Sequence, residues 1–462
     1  MASLASDGAA QNGAAVWIRE IRATLALGLP VAGAQLAQTA INTTDVLMIG
    51  QLGTEPLAAA VLTFNIYIVI FLFGAGLVQA VMPLAARARG ERRMRDVRRS
   101  VRMGLWVVIA YSVPAMIVMW HTESLLLAFG QDPELSQSAG SYMRYLQWTL
   151  PPALATMGLR NFVAVMEMTQ VVLWATVAGA LVNALLDYVL IFGAFGAPRL
   201  ELVGAGIASM GTATATFLLL LAYTLRQRKL RRFAILGRFW RSDWTVFFQI
   251  LKLGWPIGLT ILAEVGLFVA SALMMGWIGT VPLAAHGIAT QCASLTFMIP
   301  LGLGMAGTIR VGLAHGRGDR IGVGRAGWTT FGLSIGVMFC AALVFWSVPD
   351  LLIGAFTKEG NPDTPKVLVA GTAFLAVAAV FQIFDGAQVA GASILRGLSD
   401  TRVPMIIAVV GYWGIGMTLA YGLAFGAGWG GVGLWWGLAS GLAFVAIIAM
   451  WRFAWRERLG LV

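Results

Sequence analysis

The sequence predicts an all-α polytopic membrane protein with twelve transmembrane helices in two six-helix bundles. Three observations predict this fold: a high apolar content, an alternation of charge between apolar runs, and an internal repeat. Of the 462 residues, 59% are hydrophobic and 11% are charged, whereas soluble globular domains are about 45 to 50% apolar and about 25% charged. With a mean hydropathy of +0.80, this composition excludes a soluble enzyme and places most apolar side chains against lipid.

The apolar runs have the length of membrane-crossing helices, each of which needs about 20 residues. The chain has room for twelve such runs with short connections, and for no large extramembrane domain. The predicted spans are 24–50, 57–84, 101–120, 139–160, 171–194, 202–225, 246–277, 283–309, 326–348, 367–393, 403–426 and 430–452. An even number of crossings places both termini on the same side of the membrane.

Basic residues collect at alternate connections. Of the 32 Lys and Arg residues, 28 lie near the two termini or on the side that follows even-numbered spans. Such an excess marks the cytoplasmic side of a membrane protein. We therefore expect a multi-pass protein of the cell inner (plasma) membrane with both termini in the cytoplasm. The net charge of +11 follows from this asymmetry and does not indicate nucleic-acid binding.

The two halves of the chain resemble each other at a shift of 226 residues. GQLGTEPLAA at 50–59 matches GWIGTVPLAA at 276–285 in seven of ten positions. The basic stretch 226–245 separates the copies, so we predict an N-terminal lobe at 1–225, a cytoplasmic linker at 226–245 and a C-terminal lobe at 246–462. Because each lobe holds six crossings, the two bundles are expected to be related by a pseudo-two-fold axis along the membrane normal. Such an architecture suits alternating access.

Four carboxyl groups lie deep inside predicted spans, at Asp45, Asp187, Glu264 and Asp385. No Lys or Arg lies comparably deep in the predicted spans, and a charge at the bilayer centre costs about 2.5 to 3.5 kcal/mol on insertion scales. Such groups are expected to face protein or water and to hold a proton or a metal cation. A protonated residue that packs helices is the alternative interpretation.

Polar neighbours accompany the first-lobe carboxyls. Asn183 and Asp187 are four residues apart and share one helix face, and Gln38 and Asp45 share a face of span 1. Amide and carboxylate oxygens are hard ligands for a cation such as Na⁺. We therefore predict a Na⁺ or H⁺ site formed by Asp45, Asn183 and Asp187, with Gln38 as a weaker candidate.

The second lobe places its acidic groups differently. The repeat puts Glu264 opposite Gln38 and Ser271 opposite Asp45, so the acidic group has moved along the equivalent helix face. Asp385 has Gln382 and Gln388 nearly one turn to either side of it. We predict a second cation site at Glu264 and Asp385, with Gln382 as a weaker candidate.

Prolines are predicted to shape three spans. Pro30 and Pro256 are equivalent in the repeat and are expected to bend the entry turns of spans 1 and 7, with ordinary helix-start prolines as the alternative. Pro151 and Pro152 are expected to interrupt span 4.

No catalytic or nucleotide-binding motif is present in the sequence. It lacks GxxxxGK[ST] and HExxH patterns and any Ser/His/Asp arrangement. The three histidines, including His286, are predicted to be isolated interfacial residues. We therefore expect no enzymatic activity, no cofactor and no ATP binding, so that energy must come from an ion gradient.

Four segments resemble the multidrug and toxic compound extrusion (MATE) transporters, in particular the NorM-type branch. They are TDVLMIGQLGTEPLAA (44–59), ARGERRMRDVRRSVRMGL (88–105), NALLDYVLIFG (183–193) and PIGLTILAEVGLF (256–268). The resemblance covers essentially the whole chain. It implies cation-coupled (Na⁺ or H⁺) antiport that exports amphipathic or cationic drugs by alternating access of a central cleft.

The resemblance also implies roles for individual residues. The family's first-lobe cation site falls on Asp45, Asn183 and Asp187, with Tyr142 and Ser209 as weaker candidates at its edge. The acidic pair of the NorM-type branch falls on two further residues, Glu264 and Asp385.

The expected partners are small drug-like molecules and the lipid bilayer, with no nucleic acid, and we expect a monomer. A flippase for lipid-linked sugars of the same superfamily is the first alternative. That class tends to line its cleft with basic residues, whereas the deep charges here are acidic. A membrane-embedded enzyme or scaffold is the second alternative.

Overall fold

The computed structural model describes residues 2–196, 198–357 and 364–462, with side chains from residue 13 onward. Within these residues all regular secondary structure is helical. The long helices are span 1 (Ala2–Gly50), span 2 (Thr54–Gln79 and Val81–Gly90), span 3 (Met94–Trp120), span 4 (Pro133–Leu146, Gln147–Thr149 and Leu150–Val165), span 5 (Thr169–Phe192), span 6 (Glu201–Arg226), span 7 (Trp244–Ile278), span 8 (Thr280–Gly316), span 9 (Arg320–Ser347), span 10 (Thr364–Gly397), span 11 (Arg402–Val409, Val410–Met417, Thr418–Tyr421 and Gly422–Gly426) and span 12 (Gly430–Ala454). Short helices at Thr122–Ala128, Ala194–Gly196, Arg228–Arg231 and Pro349–Gly354 lie between them.

Eleven of these helices are long and apolar enough to cross a membrane, among the residues described. Span 4 is the twelfth, and it is divided into shorter pieces. A 3-10 turn at Gln147–Thr149 precedes Pro151 and Pro152, which sit in the first turn of Leu150–Val165. Because proline cannot donate a backbone hydrogen bond, it is tolerated at such a helix start and interrupts the preceding ladder. The predicted all-α fold of twelve spans in two bundles is confirmed, as is the interruption of span 4.

The predicted boundaries lie within about seven residues of the observed ones, except for the start of span 1. Its helix begins at Ala2, not near residue 24. Residues 2–23 are rich in alanine and contain no proline, so helix propensity extends the span beyond its apolar part. Pro30 therefore lies in the helix interior, as does Pro256 in span 7. The predicted entry-turn positions of both prolines are wrong, and bending at them stays a prediction.

The chain divides into two compact units, Met1–Ala32 with Leu259–Val462, and Gly33–Gly258. These units differ from the predicted lobes because the first parts of spans 1 and 7 are exchanged between them. In the former unit, the N-terminal part of span 1 packs on span 8. In the latter, the first part of span 7 packs on span 2.

Two close helix crossings repeat this exchange at the 226-residue shift. A Cβ on Gly28 would lie 3.1 Å from Cα of Leu303, and a Cβ on Gly254 would lie 2.6 Å from Cα of Leu77. Gly28 corresponds to Gly254 and Leu303 to Leu77. Glycine permits backbones to approach this closely in membrane helices. The internal repeat of the sequence is thus also a repeat of helix packing.

Candidate cation sites

The first cluster consists of Asp45 on span 1 with Asn183 and Asp187 on span 5. Asn183 and Asp187 project from one face of span 5 because they are four residues apart. The amide Nδ2 of Asn183 donates to Oδ2 of Asp187 at 2.7 Å and to Oδ1 of Asp45. Asn183 and Asp187 are buried, and Asp45 is half-buried. One amide therefore joins two carboxyl groups from different helices. The structure thus brings together the three residues that the sequence placed in one site.

Not every carboxyl oxygen of the first cluster has a hydrogen-bond partner. Oδ1 of Asp187 is buried without a hydrogen-bond partner. In the part of the chain that the structure describes, no ion pair joins Asp45 or Asp187 to a basic side chain. Burying an unpaired charged oxygen is costly. A bound proton would remove that cost, as would a cation bound by the oxygen atoms of the cluster.

The donor set of the first cluster fits Na⁺ or H⁺ and not a transition metal. Three or more His, Cys, Asp or Glu side chains do not come together as a metal site within the described ranges. Two carboxyl groups and one amide remain, which are hard oxygen ligands.

The three weaker candidates for this site differ in whether they lie close to the carboxyl groups. Tyr142 is buried and lies close enough to interact electrostatically with both Asp45 and Asp187. Ser209 and Gln38 are half-buried, and no described hydrogen bond joins either of them to the cluster. The structure thus brings Tyr142 to the first cluster and does not bring the other two.

The second cluster consists of Glu264 on span 7, Asp385 and Gln388 on span 10, and Tyr412 on span 11. The amide Nε2 of Gln388 donates to Oε1 of Glu264 at 3.0 Å and to Oδ1 of Asp385 at 3.2 Å. Its carbonyl Oε1 accepts from the hydroxyl of Tyr412 at 2.7 Å. Because ionised carboxylates only accept hydrogen bonds, the NH₂ side of the amide faces them and its carbonyl is left for the hydroxyl of Tyr412. The predicted pair of Glu264 and Asp385 is therefore brought together by a shared amide.

Tyr412 is a member of this cluster that the sequence interpretation missed. Gln388 was noted as a neighbour of Asp385, one turn after it on the same helix face, but was not among the predicted site residues. Tyr412 lies in a π-helical stretch, Val410–Met417, and such stretches are common at functional sites. Gln382 is buried apart from the pair, since its Oε1 accepts from the hydroxyl of Thr296 at 2.9 Å.

A basic residue reaches the second cluster, contrary to prediction. The guanidinium of Arg396 interacts electrostatically with Glu264 and Tyr412. Span 10 extends to Gly397, so Arg396 belongs to its last turn and not to a loop. The expectation that no basic side chain approaches the deep carboxyls is therefore wrong for Glu264.

His286 is also not the interfacial residue that the sequence suggested. It is 3% exposed, and its Nε2 lies 3.4 Å from Oγ of Ser271. The ring of Trp435 lies 5.4 Å away between centroids. His286 lies on the buried face of span 8, which begins at Thr280. Ser271 is the repeat counterpart of Asp45, so an uncharged side chain replaces a carboxylate at this position.

Comparison with known proteins matches both regions that hold the clusters. The MatE family model matches residues 30–189 and 256–422, and these two segments contain the first and second clusters respectively. The chain belongs to the MatE family. Curated relatives of this MatE protein include the "Probable multidrug resistance protein NorM" of Rhizobium meliloti (strain 1021), which is 47% identical over 95% of this chain and 94% of its own length. The protein of the same name from Mesorhizobium japonicum is 46% identical over 98% of each chain.

Solved structures have the same fold as this MatE protein. A MATE protein crystallised in complex with MaL6 matches with a TM-score of 0.85 at 20% identity, over 96% of this chain and 98% of that one. The eukaryotic MATE transporter AtDTX14 matches with a TM-score of 0.82 at 19% identity, over the same shares of the two chains. The fold is therefore that of solved MATE proteins over nearly its whole length.

Proposed function

We propose that this MatE protein is a cation-coupled antiporter that exports multiple amphipathic or cationic drugs by alternating access. The observation that carries the proposal is the first cluster: in the described part of the chain neither carboxyl has a basic partner, and the buried Asp187 keeps one oxygen without a hydrogen bond. A proton shared by the two carboxyls, which lie within hydrogen-bonding reach of each other, or a Na⁺ ion between them would satisfy that oxygen. The names of the curated relatives, probable multidrug resistance proteins, support drugs as the exported class.

Coupling follows if cation and drug favour different states of the protein. Na⁺ or H⁺ at Asp45 and Asp187 would neutralise both carboxyls and stabilise the state in which they are buried. Drug binding would stabilise the state from which the cation leaves. Each ligand then lowers the affinity for the other by the same factor, as linkage requires. The second cluster would contribute a further exchangeable proton or cation, held next to the two carboxyl groups that Gln388 joins.

The remaining expectations belong to the same proposal. The protein would lie in the inner membrane with both termini in the cytoplasm, act as a monomer, and need neither ATP nor a cofactor. A flippase for lipid-linked sugars is less well supported because the deep carboxyls would repel a pyrophosphate. An enzyme or scaffold role gives no account of the unpartnered oxygen of Asp187.

Drug export from proteoliposomes under an imposed Na⁺ or H⁺ gradient tests the proposal. Asp45→Asn should abolish gradient-driven ethidium export while the protein inserts normally. Glu55→Gln is the matched control, since Glu55 is exposed at the start of span 2 and should leave export unchanged. Unchanged export in Asp45→Asn at normal abundance would contradict the proposal, and the gradient that drives export would identify the coupling ion.

A further inference from the structure

Part of the linker is held against the beginning of span 3. Nη1 of Arg102 donates to the carbonyl of Arg238 at 3.3 Å. Nε1 of Trp106 donates to the carbonyl of Phe239 at 3.0 Å, and the two rings stack with centroids 6.0 Å apart. These contacts place residues 238–243 beside the first four turns of span 3, and the arginine side chains between these two segments are called the pocket below.

Arginine side chains dominate this pocket. Arg102 is 5% exposed, and it interacts with like charges on Arg98, Arg99 and Arg241 and with the opposite charge of Asp243. Arg99 is already engaged, since it donates to Asp243 at 2.5 Å and to Asp96 at 2.8 Å. Four guanidinium groups are therefore balanced by two carboxylates.

Two of these guanidinium groups have an N–H donor without an acceptor. Nε of Arg98 and Nε of Arg102 are buried without hydrogen-bond partners. A buried charged donor without an acceptor is costly. The planar guanidinium matches the oxygens of a phosphate group, so a phosphate-type anion would satisfy both donors and offset the excess positive charge.

The surroundings of the pocket favour a lipid as the source of that phosphate. The side chain of Trp240 is 79% exposed, and those of Trp244 and Phe248 are 56% and 61% exposed. Tryptophan at the ends of membrane spans lies at the headgroup level of the bilayer. A soluble anion would gain nothing from these rings, whereas acyl chains would cover them.

We propose that the pocket of Arg98, Arg102 and Arg241 binds the phosphate of an anionic phospholipid. Its acyl chains would lie along the exposed aromatic side chains that surround the start of span 7. Basic pockets on the cytoplasmic side of membrane proteins suit such headgroups. The proposal is independent of the transport function, because the pocket shares no residue with either cluster.

Native mass spectrometry of the full-length protein in detergent tests the proposal with phosphatidylglycerol, phosphatidylcholine and inorganic phosphate as probes. Wild-type protein should retain one phosphatidylglycerol in preference to phosphatidylcholine. The double variant Arg98→Gln/Arg102→Gln should bind it roughly thirtyfold more weakly, from the loss of two charges near the membrane surface. Arg228→Gln, which removes an exposed charge from the same linker, should bind it as wild type does.

Thermal unfolding separates the lipid effect from a folding defect. In phosphatidylcholine the double variant should unfold close to the wild-type Tm, because relief of like-charge repulsion offsets the lost hydrogen bond from Arg102 to the carbonyl of Arg238. Phosphatidylglycerol should raise the Tm of wild type only. If the double variant does not fold, Arg102→Lys, which keeps the charge without the Nε donor, should show weakened binding. Equal binding by all variants, no preference for phosphatidylglycerol, or equal stabilisation by inorganic phosphate would overturn the proposal.

Discussion

The first and second clusters contain the same chemical groups. They differ in how completely hydrogen bonds and neighbouring charges satisfy those groups. Each has two carboxyl groups from two helices and one amide that donates to both. In the second cluster a tyrosine hydroxyl fixes the amide and Arg396 supplies positive charge. In the first, one oxygen of Asp187 has no partner. Under the proposed antiport, this difference predicts that the first cluster depends more strongly on a bound cation than the second, whose carboxyls have a charged neighbour in the protein itself.

Removing one carboxylate from each cluster tests the difference between them most directly. Asp187→Asn should weaken the effect of the coupling ion on drug affinity by roughly tenfold to hundredfold, the usual range of coupling between two ligands. Asp385→Asn should weaken it less, because Gln388 and Arg396 remain. Titration of drug binding to purified protein with and without saturating cation measures both. A larger effect in Asp385→Asn would reverse the assignment.

Removing the hydroxyl that hydrogen-bonds to Gln388 tests what this contact contributes to the second cluster. Tyr412→Phe should destabilise the protein by about 1 kcal/mol, the typical net value of one hydrogen bond, and should also lower export because the amide can turn away from Glu264 and Asp385. Tyr67→Phe is the matched control. Tyr67 is likewise buried, and its hydroxyl accepts from Thr149 at 2.7 Å.

Both variants should unfold at similar denaturant concentrations, and only Tyr412→Phe should change export. Equal export by the two variants would show that the tyrosine in the second cluster is structural alone.

A carboxylate with a fixed positive partner outside the spans provides the reference for both clusters. Arg99 donates to Asp243 at 2.5 Å and holds the pKa of that carboxyl below its usual range. The ionised form therefore stabilises the fold above the ordinary carboxyl pKa, and this contribution is lost as pH falls through the lowered pKa. Asp243→Asn should cost about 1 kcal/mol or less at neutral pH.

Thermal unfolding against pH measures this effect. The difference between wild type and Asp243→Asn should shrink in acid, whereas Glu457→Gln, at an exposed acid, should match wild type throughout. A constant difference at every pH would indicate lost packing and not a lost ion pair.

The fold could be predicted because lipid leaves the backbone few options. Apolar length and Arg placement were sufficient for twelve spans, but not for the start of span 1, where helix propensity acts outside the apolar region. The spacing of Asn183 and Asp187 predicted half of the first cluster from local geometry. Tyr412 and Arg396 could not be predicted, because their contacts depend on helix rotation and on how far a long side chain reaches.

The π-helical stretch Val410–Met417 makes the second cluster sensitive to chain length as well as to residue identity. Each such stretch accommodates one more residue than an α-helix of the same rise. Deleting a single residue there would restore α-helical winding and move residues inside the stretch around the helix axis by up to roughly 100°, while the flanking parts of the span keep their positions. The phenol of Tyr412 would then point away from Gln388, even with every side chain of the cluster retained. Among related proteins, single-residue gaps in this span would therefore accompany a differently built acidic pair.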